Sequence, residues 1–280
     1  MADHGGFTAA ARAIHVAQPS LSQAVRRLEE ELGAPLFVRA GRSVTLSNAG
    51  EAFVGPARRV LRAVANLGGT VGAHAQMEAG CVDVVALPTL AVDPLVRIIG
   101  RFRRAHPGVS VRVLEPSSTS DLRTMIRDGR AELGLTDASP RDGGLVSVEV
   151  GSQELLAVLP PGSVTSGDSI TVSEFASRPL ILGPPGASTR QVVEQSMADH
   201  GLEPHIAVEI SQREAIVPLV VDGAGATALP EPLARDAELL GARVLPFTPG
   251  LVRPVTVVHA PSGLSPGAKT LLAQIVRDPN

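Results

Sequence analysis

The chain has 280 residues, 44% of them hydrophobic, and this length is enough for two or three domains with sizeable cores. The net charge of −3 excludes a chain that coats nucleic acid along its whole surface, and a single cysteine, Cys81, excludes an internal disulfide and a cysteine-based zinc site. The sequence shows neither a secretory signal nor an apolar run long enough to span a membrane, so we expect a cytoplasmic protein without membrane contact.

The first predicted elements are two short helices joined by a tight turn. Thr8 can cap a first helix that runs to about Ile14, because its hydroxyl can accept a free first-turn N–H. Pro19 suits the first turn of the second helix, where its missing N–H leaves no hydrogen bond unmade. Gly33 suits the end of that helix.

The second helix is predicted to have one apolar and one polar face. Its apolar stripe has a helical spacing and consists of Leu21, Val25, Leu28 and Leu32. Its polar face carries groups that can contact bases and phosphates, namely Ser20, Ser22, Gln23, Arg26 and Arg27. The acidic run at residues 29–31 would be repelled by DNA, so only the N-terminal half is expected in the major groove. An amphipathic surface helix with solvated polar groups is the alternative.

A basic hairpin is predicted directly after this helix. Two short β-prone runs, at residues 35–39 and 44–46, flank Gly41 and Arg42. Arg39 and Arg42 would then contact phosphates or the minor groove, as a wing does. Residues 1–62 contain eight arginines and five acidic residues, whereas the rest of the chain is net negative, so positive charge is concentrated beside the predicted reader.

These segments resemble the LysR-type transcriptional regulators. The matching words are AxxxHVAQPSLSQAVRRLEEELGAPLFVR and LSNAGEAF, in the order and spacing of that family. The resemblance departs at the start, because the family has a further helix ahead of the GGFT segment that packs under the recognition helix. Without it, part of the apolar stripe is uncovered, which forfeits about 1.5–3 kcal/mol for each large side chain. The winged helix-turn-helix of residues 1–46 is therefore expected to be incomplete, either because the true start lies upstream of Met1, which we favour, or because the DNA-binding domain is damaged.

A long helix is predicted from Ser47, its N-cap, to about Met77. Its apolar positions follow the 3.5-residue period of a coiled coil and are Phe53, Ala57, Val60, Val64, Leu67 and Val71. We favour a dimer seam over packing against the chain's own domain, because a helix between two domains has little else to bury against. The resemblance implies a linker helix, residues 47–79, that pairs subunits into a homodimer or homotetramer.

Residues 80–280 are predicted to form an α/β domain with two lobes. Strands alternate with helices in two successive units, and the tail strand Val255–His259 and a final helix return to the first unit. The expected lobes are residues 81–150 with 251–280, and residues 151–250. The resemblance implies the fold of a periplasmic binding protein, with an effector in the cleft between the lobes.

Three polar loops follow strands and are expected at this cleft. They contain the candidate effector contacts Thr89, Leu90, Ser118, Thr119, Ser188 and Thr189. The alternative is helix capping: Ser188 begins a capping box, and Ser120 or Thr119 can cap the helix at Asp121. The family's effector contacts match Thr89 and Thr119, and its glycine-rich turn and following proline match Gly223, Gly225 and Pro230. We expect a small anionic or polar effector.

An enzyme is not expected. Residues 223–228 fit the letters of a dinucleotide-binding fingerprint, but a helix precedes them and Pro230 follows them, whereas the fingerprint needs a strand before and a helix after. No cofactor and no metal site is predicted. The sequence therefore predicts a regulator that binds double-stranded DNA and responds to a small molecule. The alternative is a shortened family member that binds ligand and dimerises but does not read DNA.

Overall fold

The computed structural model of the protein describes residues 1–2, 4–40, 43–70, 80–137 and 144–277. Within these ranges it places the backbone but not the side chains of residues 39, 40, 43, 62, 63 and 65–70. The predicted wing residue Arg42 and the side chain of Arg39 lie outside the described part, as does Val71 of the predicted seam. None of the described helices combines the length and the apolar character that a transmembrane span requires.

The N-terminal part has the predicted order of elements. It consists of α1 (Phe7–Ala13), α2 (Gln18–Leu32), the antiparallel strands β1 (Phe37–Ala40) and β2 (Ser43–Leu46), and the long helix α3 (Asn48–Thr70). Pro19 lies in the first turn of α2, and Gly33 ends the helix in the left-handed conformation, with a φ of 67°. The prediction that Thr8 caps α1 is wrong. Gly6 precedes the helix without a side-chain cap, so Thr8 lies inside the first turn.

The apolar stripe of α2 is only partly covered, with Leu21, Val25 and Leu28 half-buried. Within the described residues, no side chain of α2 is buried, and Leu32 is 45% exposed. The hairpin is tied to the helix by Glu29, whose Oε1 accepts hydrogen bonds from the backbone N–H groups of Leu36 (2.7 Å) and Phe37 (3.2 Å). Glu29 therefore holds the wing on α2.

Helix α3 starts as predicted and presents an exposed apolar face. The Oγ of Ser47 accepts a hydrogen bond from the backbone N–H of Gly50 at 3.0 Å, which caps the first turn. Val60 and Val64 of the predicted seam are 63% and 58% exposed. The pairing of two such helices remains a prediction, since only one chain is present.

The C-terminal part alternates helices and strands. The helices are α4 (Pro88–Leu90), α5 (Val96–Ala105), α6 (Thr119–Arg127), α7 (Val172–Ala176), α8 (Ser188–Ala198), α9 (Ile216–Val221), α10 (Glu231–Leu239) and α11 (Pro266–Arg277). A kinked turn (Ala91–Leu95), with Asp93 in an extended conformation, follows α4, and a 3₁₀ turn (Arg213–Ala215) precedes α9. The strands are β3 (Gly80–Ala86), β4 (Val109–Leu114), β5 (Leu133–Thr136), β6 (Val146–Leu159), β7 (Leu180–Leu182), β8 (Ile206–Glu209), β9 (Thr227–Pro230) and β10 (Arg243–His259).

Two long antiparallel strands, β6 and β10, connect the lobes. They lie side by side in a six-stranded sheet of order β4-β3-β5-β10-β6-β9, and β7 and β8 form a separate parallel pair. The sequence predicted only the last part of each long strand. Prolines at 246, 249 and 254 interrupt the strand pattern of β10, and its register with β6 shifts between Pro246 and Leu251, which obscures a single continuous strand.

The hydrophobic core is divided in a way that leaves space between the lobes. One cluster is built from residues 82–150 and 255–275, and two further clusters are built from residues within 155–251. The chain therefore leaves the first core along β6 and returns to it along β10. The exact lobe boundaries remain a prediction.

Candidate functional site

A cavity of about 950 Å³ lies between the two groups of core residues. From the first lobe it is lined by the start of α4 and the end of β4, including Pro88, Thr89, Val113 and Glu115. The second lobe contributes the segments 182–190, 210–218 and 227–229, from which Thr189, Arg190, Ile210, Arg213, Ile216 and Val217 reach the cavity. Most of these side chains are apolar, as is usual for a small-molecule pocket of this size.

A buried arginine lies beneath the polar part of this cavity. Arg253, on β10, is 2% exposed and pairs in register with Gln153 on β6. Its Nε donates to the Oε1 of Gln153 at 3.0 Å, and its Nη2 donates to the same oxygen. The guanidinium is therefore fixed at the point where the two long strands pass between the lobes.

Arg253 also contacts residues of both lobes. Its Nη2 donates to the hydroxyl of Thr89, and its Nη1 donates to the hydroxyl of Ser188. The Nη1 atom lies 3.5 Å from Oδ2 of Asp137, which in turn accepts a hydrogen bond from Ser188. One buried cation thus connects α4 of the first lobe to α8 of the second.

The pKa of Arg253 is lowered to about 10, and its burial is the largest cause. Asp137 and Asp93 act in the opposite direction, whereas the charge of Arg213 lowers the pKa further. A depressed pKa means that the surroundings disfavour the cation relative to water. At neutral pH the group stays protonated, and the nearby carboxylate of Asp137 offsets part of its charge.

Gln153 links the arginine to the first lobe. Its Nε2 lies 3.4 Å from the carbonyl oxygen of Thr89 and 3.3 Å from Oδ2 of Asp93, and it also donates to the carbonyl oxygen of Asp93. The amide therefore fixes α4 and the turn after it relative to β6. Thr89 is held both by its backbone, through Gln153, and by its hydroxyl, through Arg253.

The direction of the Thr89 hydroxyl follows from these bonds. Its oxygen accepts from Arg253, so its proton must be donated elsewhere. The Oγ1 of Thr189, from the opposite lobe, lies 3.4 Å away, and both threonines line the cavity. These two hydroxyls form a donor pair that joins the lobes across the cavity.

Ser188 does not have the capping role that its sequence suggested. The N-cap of α8 is Ala187, without a side-chain hydrogen bond, and Ser188 is the first helical residue. The capping prediction is wrong because the Ser188 hydroxyl is engaged by Arg253 and Asp137 instead. The next candidate, Leu90, has a fully buried side chain in the core of the first lobe.

The loop before α6 caps that helix. Ser118, rather than Ser120 or Thr119, is the N-cap, and its Oγ accepts from the backbone N–H of Asp121 at 3.1 Å. The backbone N–H of Ser117 donates to the Asp121 carboxylate at 2.8 Å, which holds the pKa of that carboxyl below its usual range. Among the described residues that line the cavity, Ser118 and Thr119 are not included, so their contact with an effector stays a prediction.

Gly225 lies two residues before the strand β9 and Pro230 is its last residue, and the strand lines the cavity through residues 227–229. A Cβ on Gly225 would come within 2.7 Å of the carbonyl oxygen of Pro179, so the close approach of two backbone segments requires glycine here. Pro230 is buried and precedes α10. Residues 227–229 between them reach the cavity, whereas an effector contact by Gly225 or Pro230 themselves stays a prediction.

Sequence reasoning missed Arg253, Gln153 and Asp137. The signal for the first two was the two-residue period of the strands. Leu251, Arg253, Val255 and Val257 alternate on one buried face of β10, and Gln153, Leu155, Ala157 and Leu159 do so on β6. A charged and an amide side chain on otherwise apolar strand faces predict a buried polar contact. Asp137 had no comparable local signal.

The predicted DNA-reading face of α2 is accessible. Ser20, Gln23, Arg26 and Arg27 are exposed, and Ser22 is half-buried. The surface opposite the apolar stripe therefore presents several hydrogen-bonding groups in the first half of the helix and two guanidinium groups just past its middle. The acidic Glu30 and Glu31 are exposed in its second half.

Two family models match this chain. The model described as "LysR substrate binding domain" matches residues 75–279, and the model described as "Bacterial regulatory helix-turn-helix protein, lysR family" matches residues 1–51. The helix-turn-helix region and the two-lobed domain are therefore matched by separate family models.

Relatives and solved structures agree with this assignment. The chain is 30% identical over 234 residues to the transcriptional regulator IlvY of Escherichia coli, covering 82% of this chain and 78% of the relative. It is 26% identical to the hydrogen peroxide-inducible genes activator of Pectobacterium carotovorum, covering 99% and 93%. The structure of a full-length OxyR variant from Pseudomonas aeruginosa matches with a TM-score of 0.76 and 26% identity, covering 98% and 90%. A crystal structure of CbnR shares the fold, with a TM-score of 0.65 and 21% identity, covering 99% of this chain and 94% of that one. The chain belongs to the LysR family of DNA-binding transcriptional regulators with an effector-binding domain.

Proposed function

We propose that this chain controls transcription in response to a small anionic or polar effector that binds in the cavity between its lobes. The observation that carries the proposal is the Thr89–Thr189 hydroxyl pair, whose oxygens lie 3.4 Å apart on opposite lobes. A ligand that accepts hydrogen bonds from both hydroxyls binds one relative position of the lobes more tightly than others. Differential binding of this kind couples the effector concentration to the arrangement of the DNA-reading helices, one α2 from each subunit.

The DNA contacts are proposed on α2 and on the hairpin. Helix α2 would place its first half in the major groove through Ser20, Ser22, Gln23, Arg26 and Arg27. Arg39 and Arg42 would hold the phosphates beside it. Two readers, paired through α3 as a homodimer or as part of a homotetramer, would match a pseudo-palindromic operator. The proposal assigns the chain no catalytic role and places it in the cytoplasm, where its DNA lies.

DNA binding tests the first part of this proposal. Fluorescence anisotropy, at fixed salt and with nonspecific competitor, would follow the full chain on duplex DNA tiled from beside its own gene, because salt dominates such affinities. We expect specific, submicromolar binding. Arg26→Ala should weaken it by about 1–3 kcal/mol, whereas Arg235→Ala, an exposed arginine on α10, should leave it unchanged.

The two alternatives differ in this measurement. A folded dimer that shows no specific binding on any tile would favour the member that senses ligand without reading DNA. Specific binding that Arg26→Ala leaves unchanged would show that α2 presents a different face to the groove.

A further inference from the structure

We infer that Arg253 restricts the effector to organic carboxylates. This inference rests on the proposed function, because it assigns a ligand class to the same cavity. Arg253 does not line the cavity itself but lies beneath it, with its Nη atoms on the hydroxyls of Thr89 and Ser188. It is a positioning residue, which acts on the ligand through the hydroxyl of Thr89.

The first step of the argument concerns proton direction. Because Thr89 accepts from a cation, its O–H bond is polarised and directed away from the guanidinium. Thr189 offers a second hydroxyl beside it. The two hydroxyls contact each other at 3.4 Å, and a carboxylate that enters between them could accept from both with its two oxygens. A cationic ligand offers neither hydroxyl an acceptor.

The second step compares the cations around the cavity. Arg190 is held by two carboxylates, with its Nε 2.6 Å from Glu194 and its Nη1 2.8 Å from Glu209. Arg213 faces Glu115 of the other lobe at 3.8 Å. The hydrogen bonds of Arg253 go to neutral groups, and its nearest carboxylate is Asp137 at 3.5 Å. Of these three arginines, Arg253 is the one that combines deep burial with neutral hydrogen-bond partners. A single buried cation of this kind suits a monoanion better than a dianionic phosphate.

The third step concerns the body of the ligand. Apolar side chains dominate the walls of the cavity, including Val113, Leu182, Ile210, Ile216 and Val217. A carboxylate on a short aliphatic or aromatic body would bury its apolar part there while its head reaches the threonines. Sugars and highly hydroxylated molecules would leave polar groups unpaired against these walls.

Matched acid and amide pairs test this ligand class directly, because the two members of a pair differ in charge and hardly in shape. The probes are pentanoate and pentanamide, hexanoate and hexanamide, and benzoate and benzamide, titrated calorimetrically into the full chain. We expect acids to bind more tightly than their amides. Arg253→Met should weaken acid binding by about 10- to 100-fold and leave amide binding nearly unchanged, since hydrogen bonds to charged groups carry this difference.

Two further variants separate positioning from structural support. Thr89→Val keeps the buried charge but removes the outward donor, so it should also lose the preference for acids even if Arg253→Met fails to fold. Thr270→Val, whose hydroxyl donates to a carbonyl of its own helix, is the matched control. Acids that bind wild type no better than amides, or a preference that survives in Thr89→Val, would overturn the inference. Neither outcome affects the DNA-binding test, so the proposed function is judged separately.

The geometry also points to a second, independent feature: a joint that docks the linker helix α3 on the first lobe. The Nη1 of Arg58 donates to the carbonyl oxygen of Asp128 at 2.9 Å, and the Nη1 of Arg59 donates to that of Arg127 at 3.5 Å. These carbonyls lie at the C-terminal end of α6, where backbone oxygens lack helical partners and carry partial negative charge. The two arginines thus cap α6 from another domain.

Three glycines make this close docking possible. A Cβ on Gly55 would lie 2.5 Å from the carbonyl oxygen of Arg127, and a Cβ on Gly129 would lie 3.0 Å from the carbonyl oxygen of Gly55. A Cβ on Gly263 would lie 2.6 Å from Cδ of Arg59. A backbone oxygen cannot move aside as a flexible side chain can, so Gly55 is the residue on which the docking depends most.

Helix α6 is firmly part of the first lobe. Leu122, Met125 and Ile126 are each at most 2% exposed, and Ser118 caps the N-terminus. A rotation of the first lobe therefore carries α6, and α6 carries α3 and the reader attached to it. The joint is an additional connection between the two domains, beside the covalent one through residues 71–79.

Gly55→Ala tests the joint with an effect of known sign. Alanine in a helix interior normally stabilises the helix relative to glycine, so α3 itself should not be weakened. The variant should nevertheless separate α3 from α6. Gly100→Ala on α5 is the matched control, because its Cβ would make only an ordinary contact at 3.7 Å.

The distance between the reader and the second lobe reports the docking. Spin labels at Ala24→Cys and Arg235→Cys, both exposed, are introduced in a Cys81→Ser background and diluted with unlabelled chain. Electron–electron resonance should give a single narrow distance for the parent and for Gly100→Ala. Gly55→Ala should broaden or shift that distance. The inference that α3 docks on α6 would be overturned by an unchanged distance distribution in Gly55→Ala, or by an equal change in Gly100→Ala.

Discussion

Helices α2 and α6 have the same kind of amphipathic pattern but differ in how far their apolar faces are buried. In α6, Leu122, Met125 and Ile126 are fully buried against the sheet, whereas among the described residues α2 buries no side chain. The pattern determines which face is apolar, but burial requires a second layer to cover that face. The effector domain supplies that layer from its own chain, and the helix-turn-helix leaves part of its stripe uncovered.

Truncation of one leucine in each helix should show the largest contrast. Leu122→Ala should destabilise the effector domain by about 2–5 kcal/mol, because it leaves a cavity in a closed core. Leu28→Ala, at a half-buried position, should cost about 1 kcal/mol or less. Hydrogen exchange read by mass spectrometry would measure each region separately, which is necessary since two domains do not unfold as one two-state unit. Equal costs would show that the stripe of α2 is covered in solution.

Two carboxylates that hold backbone N–H groups extend the comparison. Glu132 is 3% exposed and accepts from the backbone N–H of Ser265 at 2.7 Å, whereas Glu29 is half-buried and accepts from Leu36. We expect Glu132→Gln to cost about 2–3 kcal/mol and Glu29→Gln about 1 kcal/mol, because a buried charge-assisted hydrogen bond is harder to replace with water. Hydrogen exchange read by mass spectrometry would again measure each region separately, with the exposed Glu30→Gln as the control.

The helix N-termini differ in the same direction. Ser118 caps α6 with its side chain, whereas Ala17 precedes α2 without a side-chain hydrogen bond. Ser118→Ala should therefore destabilise by about 1 kcal/mol, and Ala17→Ser should stabilise the helix-turn-helix by roughly 0.5–1 kcal/mol. Thermal unfolding would detect both signs. If Ala17→Ser does not stabilise the helix-turn-helix, the first-turn N–H groups of α2 already have hydrogen-bond partners.

The smallest effect is expected in the turn between α1 and α2. His15 has a φ of 56°, a conformation that glycine adopts without a Cβ penalty. His15→Gly should stabilise the turn by roughly 0.5 kcal/mol, because the relief of strain is partly offset by the greater freedom of an unfolded glycine. The melting temperature is the measurement, and a decrease would indicate that the imidazole makes a contact that outweighs the strain.

The sequence was most informative where local patterns decide structure. It predicted the two helices and the hairpin of the reader, the start of α3 at Ser47, the alternation of strands and helices, and the strand β4 at its observed bounds. That alternation predicted the two-lobed domain, and the resemblance to the family implied the same fold. The resemblance also predicted that part of the stripe of α2 would lack a cover.

Tertiary structure decided the roles of individual polar residues. From sequence, Ser188 is a candidate effector contact or a helix cap, but in the structure its hydroxyl contacts Arg253 and Asp137. The reason is distance along the chain: Arg253 is 65 residues from Ser188 and 164 residues from Thr89, and no local pattern records their meeting. The close contact of Gly55 with the backbone of Arg127 likewise leaves no pattern in the sequence. Periodicity arises from neighbours in sequence and can be read from them, whereas a polar cluster and a close backbone contact arise only when distant segments fold together.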